Sequence, residues 1–448
     1  MNPAIEGKNA RGKELDVGMT HDETRVAPFK GVRYNQDVVG DLDKVVCPPY
    51  DVISPLDRIY YHNLSPYNFV RLALGEEFES DNEVDNRFTR AGKYLDSWLA
   101  DRVMVEEALP AMYSYRQDFT RDNSELCVTG IICAVKLHEY VDQVILPHEN
   151  TLARPKSQLK ELIQNVRANL DSVYGLYEDA EHKIESILDV HMTDSPVYDV
   201  IDKECVRHRL WVISDVSYID KIVEFFANKQ IAIADGHHRY ETALAYSKEV
   251  RAQSGQPDNT PLNSDYTLMT LANVFQPDLT VLPTHRVMHG ISAEALLHLS
   301  NGLAQNFEAK ASSRKTITND MIENQAIGVY INGYAFVISL KDDVITGIEG
   351  CEASQSLEVN VLHKLILEGL LGLTSDDIRK QTNVFYTREA TEALERVDSG
   401  QAQIAFLLNP VGVKPVMDIA AAGEKMPQKS TYFYPKLLSG LVLRLLER

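Results

Sequence analysis

Read for its apolar and polar positions, the chain is a succession of short strands and amphipathic helices. Phe88, Ala91, Tyr94, Leu95 and Trp98 recur at helical spacing and predict a helix over 82–101. The run 126–137 (LCVTGIICAVKL) is short, apolar and partly β-branched, which predicts a buried strand. From about Pro155, the positions Leu159, Leu162, Ile163, Val166 and Leu170 give a helix one apolar face, with Lys156, Lys160 and Arg167 on the outer side. A strand near 210–213 precedes a helix over 218–228. Ile231, Ala232, Ile233 and Ala234 then read as a strand, and Tyr240, Ala243 and Leu244 as a helix, which leaves residues 235–239 at the junction. A strand over 266–274 leads towards Leu282. Beyond residue 290, helices over 293–306 and 359–371 mix with strands over 326–331, 335–339 and 403–408, and an apolar helix ends the chain. Cys47-Pro48-Pro49 cannot be regular helix, because adjacent prolines remove donors and push the preceding residue to extended geometry.

This pattern predicts a mixed α/β, multi-domain protein. We divide it into a flexible tail (1–25), an N-terminal α/β region (26–214), a core around the 235–239 junction (215–300) and a C-terminal α/β region (301–448). The tail lacks the apolar centre of a signal peptide, and no run approaches the roughly 18 apolar residues of a membrane span. Five scattered cysteines without a C-x-x-C pair argue against a disulfide framework or a structural zinc site. A soluble, cytoplasmic protein is expected. With 45 basic against 65 acidic residues the net charge is −20, and no basic run breaks it, so neither nucleic acid nor anionic membrane is an expected partner. An anionic small molecule would need a local basic cluster. A homo-oligomer is left open.

One such cluster is Asp235-Gly236-His237-His238-Arg239 at the strand-to-helix junction. The first-turn amides of a helix lack internal partners and carry partial positive charge, which favours phosphate. Gly236 permits close backbone approach, His237 and His238 offer donors that can be cationic near neutrality, and Arg239 adds a forked donor. Asp235 can orient a histidine, hold a metal or accept a hydroxyl proton, and Glu241, one turn from His237, can fix its ring. The alternative is an N-capping Asp235 with two surface histidines.

A second cluster is His148-Glu149-Asn150-Thr151 with Lys156, on a loop before a helix. Its alternative is an exposed loop in which Asn150 or Thr151 starts the helix. Thr284-His285-Arg286 repeats a hydroxyl, imidazole and guanidinium mixture, and Lys429, Ser430, Thr431 and Lys436 can bind anions, although structural use and packing are the simpler readings of each. The common phosphate-loop, dinucleotide, zinc-protease and serine-hydrolase motifs are absent from the sequence.

The succession CPPYDVI (47–53), PHENT (147–151), IADGHHRYETA (233–243), PTHR (283–286) and KSTYFYPK (429–436) resembles the domain-of-unknown-function 1015 family from about residue 26 onward. That resemblance carries kinship and no activity. The strand–DGHHRY–helix unit is in addition similar, over about 25 residues, to the nucleotide-binding core of ParB-type partition proteins, sulfiredoxins and free-serine kinases. This second resemblance implies a phosphate-holding turn and, from the free-serine kinases, phosphoryl transfer to the hydroxyl of L-serine. His237 stands where a sulfiredoxin has its catalytic cysteine, which disfavours sulfinic acid reduction.

The expectation is therefore a small-molecule phosphotransferase acting on serine or another hydroxy compound. Its donor would be ATP, ADP or pyrophosphate with Mg2+. His237, His238 and Arg239 would neutralise donor phosphates, and Asp235 or Glu149 would take the hydroxyl proton or hold magnesium. His148, Thr151, Lys156, Gly236, Glu241, Thr284, His285, Arg286, Lys429, Ser430 and Lys436 are the candidate binding residues. Two other readings stay open: a non-catalytic nucleotide- or phosphometabolite-binding regulator, and a metal-dependent hydrolase built on the histidines.

Overall fold

A computed structural model describes residues 25–447, apart from 152, 258–259, 342–343 and 345–346. All but Arg25 of the tail expected over 1–25 lies outside the described residues. The fold is mixed α/β, as its pattern predicted. A nine-stranded sheet runs in the order Ile145–Leu146, Ile231–Asp235, Val173–Tyr177, Tyr266–Asn273, Ser124–Lys136, Met112–Arg121, Arg207–Ile213, Tyr198–Ile201, with Val26–Ala27 also paired to Ser124–Lys136. A six-stranded antiparallel sheet runs in the order Phe307–Ser312, Tyr334–Leu340, Ile327–Ile331, Ile404–Leu407, His285–Met288, Val384–Thr387.

The central strands are buried on both faces. Met269 and Leu271 pack into one core, and Leu268 and Ala272 into another. Such strands read as continuous apolar runs, which is why they were visible in the sequence. The nine-stranded sheet draws on both sides of the divide placed at 214/215, since Ile231–Asp235 pairs with Val173–Tyr177, and Tyr266–Asn273 with Ser124–Lys136. Strand partnership depends on long-range pairing that local periodicity does not carry.

Four elements differ from expectation, one of them the helix expected from about Pro155 through Leu170, which spans Ala153–Val166 and gives way to the strand Ala168–Asn169. The helix placed over 82–101 spans Arg87–Ala100, because Asn86 accepts from the backbone of Phe88 and Thr89 and so caps it there. The terminal apolar helix is instead the strand Leu443–Leu445. It pairs with Gly31–Tyr34 and Ala168–Asn169 in a four-stranded sheet. A short apolar run does not by itself separate strand from helix. Lastly, the helix expected over 359–371 is present but passes into π-helical winding over Leu362–Leu370, where the Leu371 amide donates to Ile366, five residues back.

Two consequences position the site. The strand Tyr432–Tyr434 pairs with Thr280–Leu282, which brings the segment 424–436 back onto the end of Ile231–Asp235. Glu149 forms a bridge with Met426, whose amide donates to the carbonyl of His148 at 2.8 Å.

Candidate functional site

The strand Ile231–Asp235 ends in a turn at Gly236, and the helix His237–Ser254 begins at once, so both histidines occupy its first turn. Gly236 has φ +91°, and a Cβ there would lie 2.9 Å from Nε of Arg239. Left-handed geometry and the folded-back guanidinium together require glycine. Gly236→Ala is expected to destabilise the protein by about 1–3 kcal/mol, read as a lower urea midpoint than wild type. No side chain caps this helix. Asp235 turns back instead, accepting from the Gly236 amide at 2.8 Å.

Asp235 is held from the other side by Lys436, whose Nζ donates to Oδ2 at 2.9 Å, with Nη2 of Arg239 at 3.8 Å. Burial opposes its ionisation, but Lys436 and Arg239 outweigh that and hold the carboxyl well below the usual carboxylate range. With Oδ2 on a lysine and Oδ1 on an amide, Asp235 does not fit the magnesium ligand expected of it. Arg239 differs from expectation as well. Its Nη1 donates to the Ser172 carbonyl at 2.5 Å, and Asp235, Asp171 and Asp51 lie near it, so its charge is already balanced by protein.

The histidines form a fixed pair. The His148 ring is fully buried and donates from Nδ1 to the Ile233 carbonyl at 2.6 Å, because a carbonyl can only accept. Nε2 of the neutral ring then accepts from the Thr431 hydroxyl at 2.9 Å. His237 stands edge-on to it with centroids 4.7 Å apart, and its Nε2 accepts the His148 amide at 3.2 Å. Burial lowers the pKa of His148 to about 4 and pushes that of His237 well down, with His148 adding to the latter effect. Both rings are therefore neutral near pH 7, and the cationic role expected of His237 is not what its surroundings favour. Three of their four ring nitrogens are committed within the protein, which leaves this pair a single nitrogen for a metal. Among the described residues no group of three or more His, Cys, Asp or Glu is arranged to hold a metal.

Glu149 is the second carboxyl of the cluster. Its Oε1 accepts from the Ser430 amide at 3.3 Å and lies 4.0 Å from Nε2 of His148. Burial raises its pKa to about 7, with the Asp235 charge adding to the rise and Lys429 and Lys436 opposing it. Two carboxyls a short way apart are thus driven in opposite directions, Asp235 to a fixed charge and Glu149 to a proton-exchanging one.

The remaining expected residues divide. Glu241 does not hold the His237 ring, because it accepts from Thr151 at 2.6 Å and Lys156 at 2.9 Å, tying the 148–156 loop to the helix. Ser430 donates its hydroxyl to the Pro427 carbonyl at 2.5 Å, so its backbone rather than its side chain serves the site. Arg286 is buried. Its Nη1 donates to the Thr284 carbonyl and its Nη2 to the carbonyls of Lys429 (3.2 Å) and Gln428 (3.4 Å), buttressing the segment that carries Lys429. His285 points elsewhere, its Nδ1 accepting from the Leu408 amide at 3.2 Å. Adjacent residues of a strand face opposite sides, which explains the split between His285 and Arg286.

Several participants were not singled out from sequence. Tyr50, Asp51 and Asp171 surround Arg239. The Tyr432 ring has Nζ of Lys436 at 4.1 Å and Cζ of Arg388, the residue after the strand Val384–Thr387, at 4.2 Å from its centroid. Tyr50, Asp51 and Tyr432 belong to quoted motifs. Asp171 and Arg388 carry no local signal.

Comparison with known proteins adds the following. Among solved structures, a free serine kinase in complex with AMP aligns over 68% of this chain and 86% of its own, at 12% identity and a TM-score of 0.35. A conserved hypothetical protein from Pyrococcus furiosus aligns over 69% of this chain and 92% of its own, at 12% identity and a TM-score of 0.34. SbnI with C-terminal truncation from Staphylococcus aureus aligns over 69% and 85%, at 11% identity and a TM-score of 0.35. No curated protein matches the chain. No helix among the described residues is long and apolar enough to cross a membrane. The model of one family matches residues 26–365, most of the chain and all but the last of the five sequence motifs, and the protein belongs to that family, described as Protein of unknown function (DUF1015).

Proposed function

We propose that the protein is a small-molecule phosphotransferase in which Glu149 accepts the proton of an acceptor hydroxyl. The observation that carries this reading is the Glu149 carboxyl, which accepts from the Ser430 amide at 3.3 Å and lies 4.0 Å from Nε2 of His148, with its pKa raised to about 7 and the charges of Lys429 and Lys436 acting on it. A general base works best with a pKa near the operating pH. The first turn of His237–Ser254 and the two lysines receive the donor phosphates, a task of positioning and charge rather than covalent chemistry. The acceptor oxygen attacks the terminal phosphorus, forming a new O–P bond. The bridging P–O bond breaks, its electron pair leaves on the donor oxygen, and the acceptor proton passes to Glu149. His148 and His237, both neutral, hold the loop and the turn in register. Asp235 orients Lys436.

The likeness of the turn to free-serine kinases makes L-serine the first acceptor to try. Phosphorus NMR of the full chain with magnesium, L-serine and, separately, ATP, ADP and pyrophosphate tests the reading. A phosphoserine resonance that grows with wild type and not with Glu149→Gln is the expected result. No new ester with any donor would reject the serine kinase activity, and shifted donor resonances without turnover would move the reading to a binding protein.

A further inference from the structure

A cavity of about 960 Å³ lies between the segment 424–428 and the π-helical stretch Leu362–Leu370, and Asn150, the residue after Glu149, is part of its lining. We infer that this cavity binds a nucleoside, the uncharged end of the phosphoryl donor, with His363 as a polar contact on its wall. The identification of that nucleoside as part of a donor rests on the transferase reading above.

His363 lines the cavity, is 8% exposed, and its Nε2 has no hydrogen-bond partner in the protein. Arg286 lies close behind it, with a buried Nε that is also unpartnered. An unpartnered imidazole on the wall favours a ligand that brings its own hydrogen-bonding groups. The π-helical winding carries His363, Lys364 and Glu368, which line the cavity wall, and such winding occurs frequently at functional sites.

The chemistry of the walls selects the ligand. Ile348, Ile378, Met426 and Pro427 offer apolar contact for the faces of a base. Asn360 donates to the Ser354 carbonyl at 2.7 Å and Gln428 to the Asn150 carbonyl at 3.3 Å. Each amide has further capacity for the edge of a base. Glu368, held by Ser375 at 2.8 Å and Lys364 at 3.5 Å, is a fixed acceptor for ribose hydroxyls. Three carboxylates (Glu349, Glu368 and Glu424) outnumber two lysines (Lys364 and Lys425) on the walls, which disfavours phosphate there. The volume lies at the upper end of the roughly 300–1,000 Å³ of small-molecule sites, far more than a free hydroxy amino acid fills. The phosphates then have an adjacent destination. Lys425 lines the cavity and acts on His237, and the segment continues through Gln428 to Lys429.

Isothermal titration of the full chain with adenosine, guanosine, cytidine, uridine, ADP and pyrophosphate tests this. Wild type is expected to bind at least one nucleoside saturably, and ADP more tightly than pyrophosphate. His363→Ala should weaken nucleoside and ADP binding at least tenfold while leaving pyrophosphate unchanged. Glu349→Trp, at an exposed position on the cavity wall, should do the same by occlusion and guards against misfolding of the His363 variant. Pyrophosphate binding with no binding of any nucleoside would overturn the cavity assignment and leave the transferase reading standing. Nucleoside binding without pyrophosphate binding would do the reverse. Variants that weaken ADP and pyrophosphate equally would also overturn the assignment.

Discussion

Glu149→Gln is expected to lower kcat for phosphoryl transfer by about 10²–10⁴, the usual contribution of a positioned general base. Wild-type kcat should fall as the pH drops through about 7, where Glu149 takes up its proton, and the glutamine variant should lose that limb. The same substitution should strengthen the fold at alkaline pH. A carboxyl whose folded pKa lies above its unfolded one binds its proton more tightly in the native state. Its contribution to stability is full below about 4.5 and is lost as the pH rises through about 7. The difference corresponds to on the order of 3 kcal/mol against the native state at pH 8, which an uncharged amide does not suffer. Urea unfolding at pH 5 and pH 8 separates the two proteins. If the variant is the less stable one at pH 8, Glu149 is not the strained group described above.

Lys436→Met is expected to be among the most destabilising single changes at the site, by about 3 kcal/mol. It leaves Asp235 ionised and largely buried with only the more distant Arg239 to balance it, and it loosens the 424–436 segment from the end of Ile231–Asp235. Adding Asp235→Asn should recover part of the loss, because the uncompensated charge is then gone. The wild-type pair also has a pH signature. A carboxyl held below its ordinary value of 3.8 contributes stability that is present above that value and lost as the pH falls below it. Acid unfolding of the Lys436 variant should accordingly be shallower than that of wild type. Additive single and double mutant effects would mean that the two side chains do not support each other.

The candidate site was legible where chemistry is local. Asp235, Gly236 and the histidine pair stand between an apolar strand and an amphipathic helix, and His148 and Glu149 stand on a polar loop, so residue type and neighbouring periodicity marked them. Their roles were less legible. Glu241 looked like a partner for His237 because helical spacing puts them one turn apart, yet Thr151 and Lys156 reach it from another element. Arg239 looked like a phosphate ligand until Ser172, Asp171 and Asp235 were found around it. Asp171 and Arg388 arrive by long-range packing and had no signal to find.

What the sequence determined by itself is the mixed α/β character, the strand–turn–helix unit around the 235–239 junction and the family to which the chain belongs. These follow from period, propensity and motif, which act over a few residues. Tertiary structure alone decided that strands from both sides of residue 215 share one sheet, that the last apolar run is a strand, and that the 424–436 segment closes over the turn. It also decided the protonation of the site, because a carboxyl is moved down or up by the charges and the burial around it. Asp235 and Glu149 are the same functional group in the chain. Lys436 at 2.9 Å makes one a fixed anion, and burial beside that anion makes the other a base near neutrality.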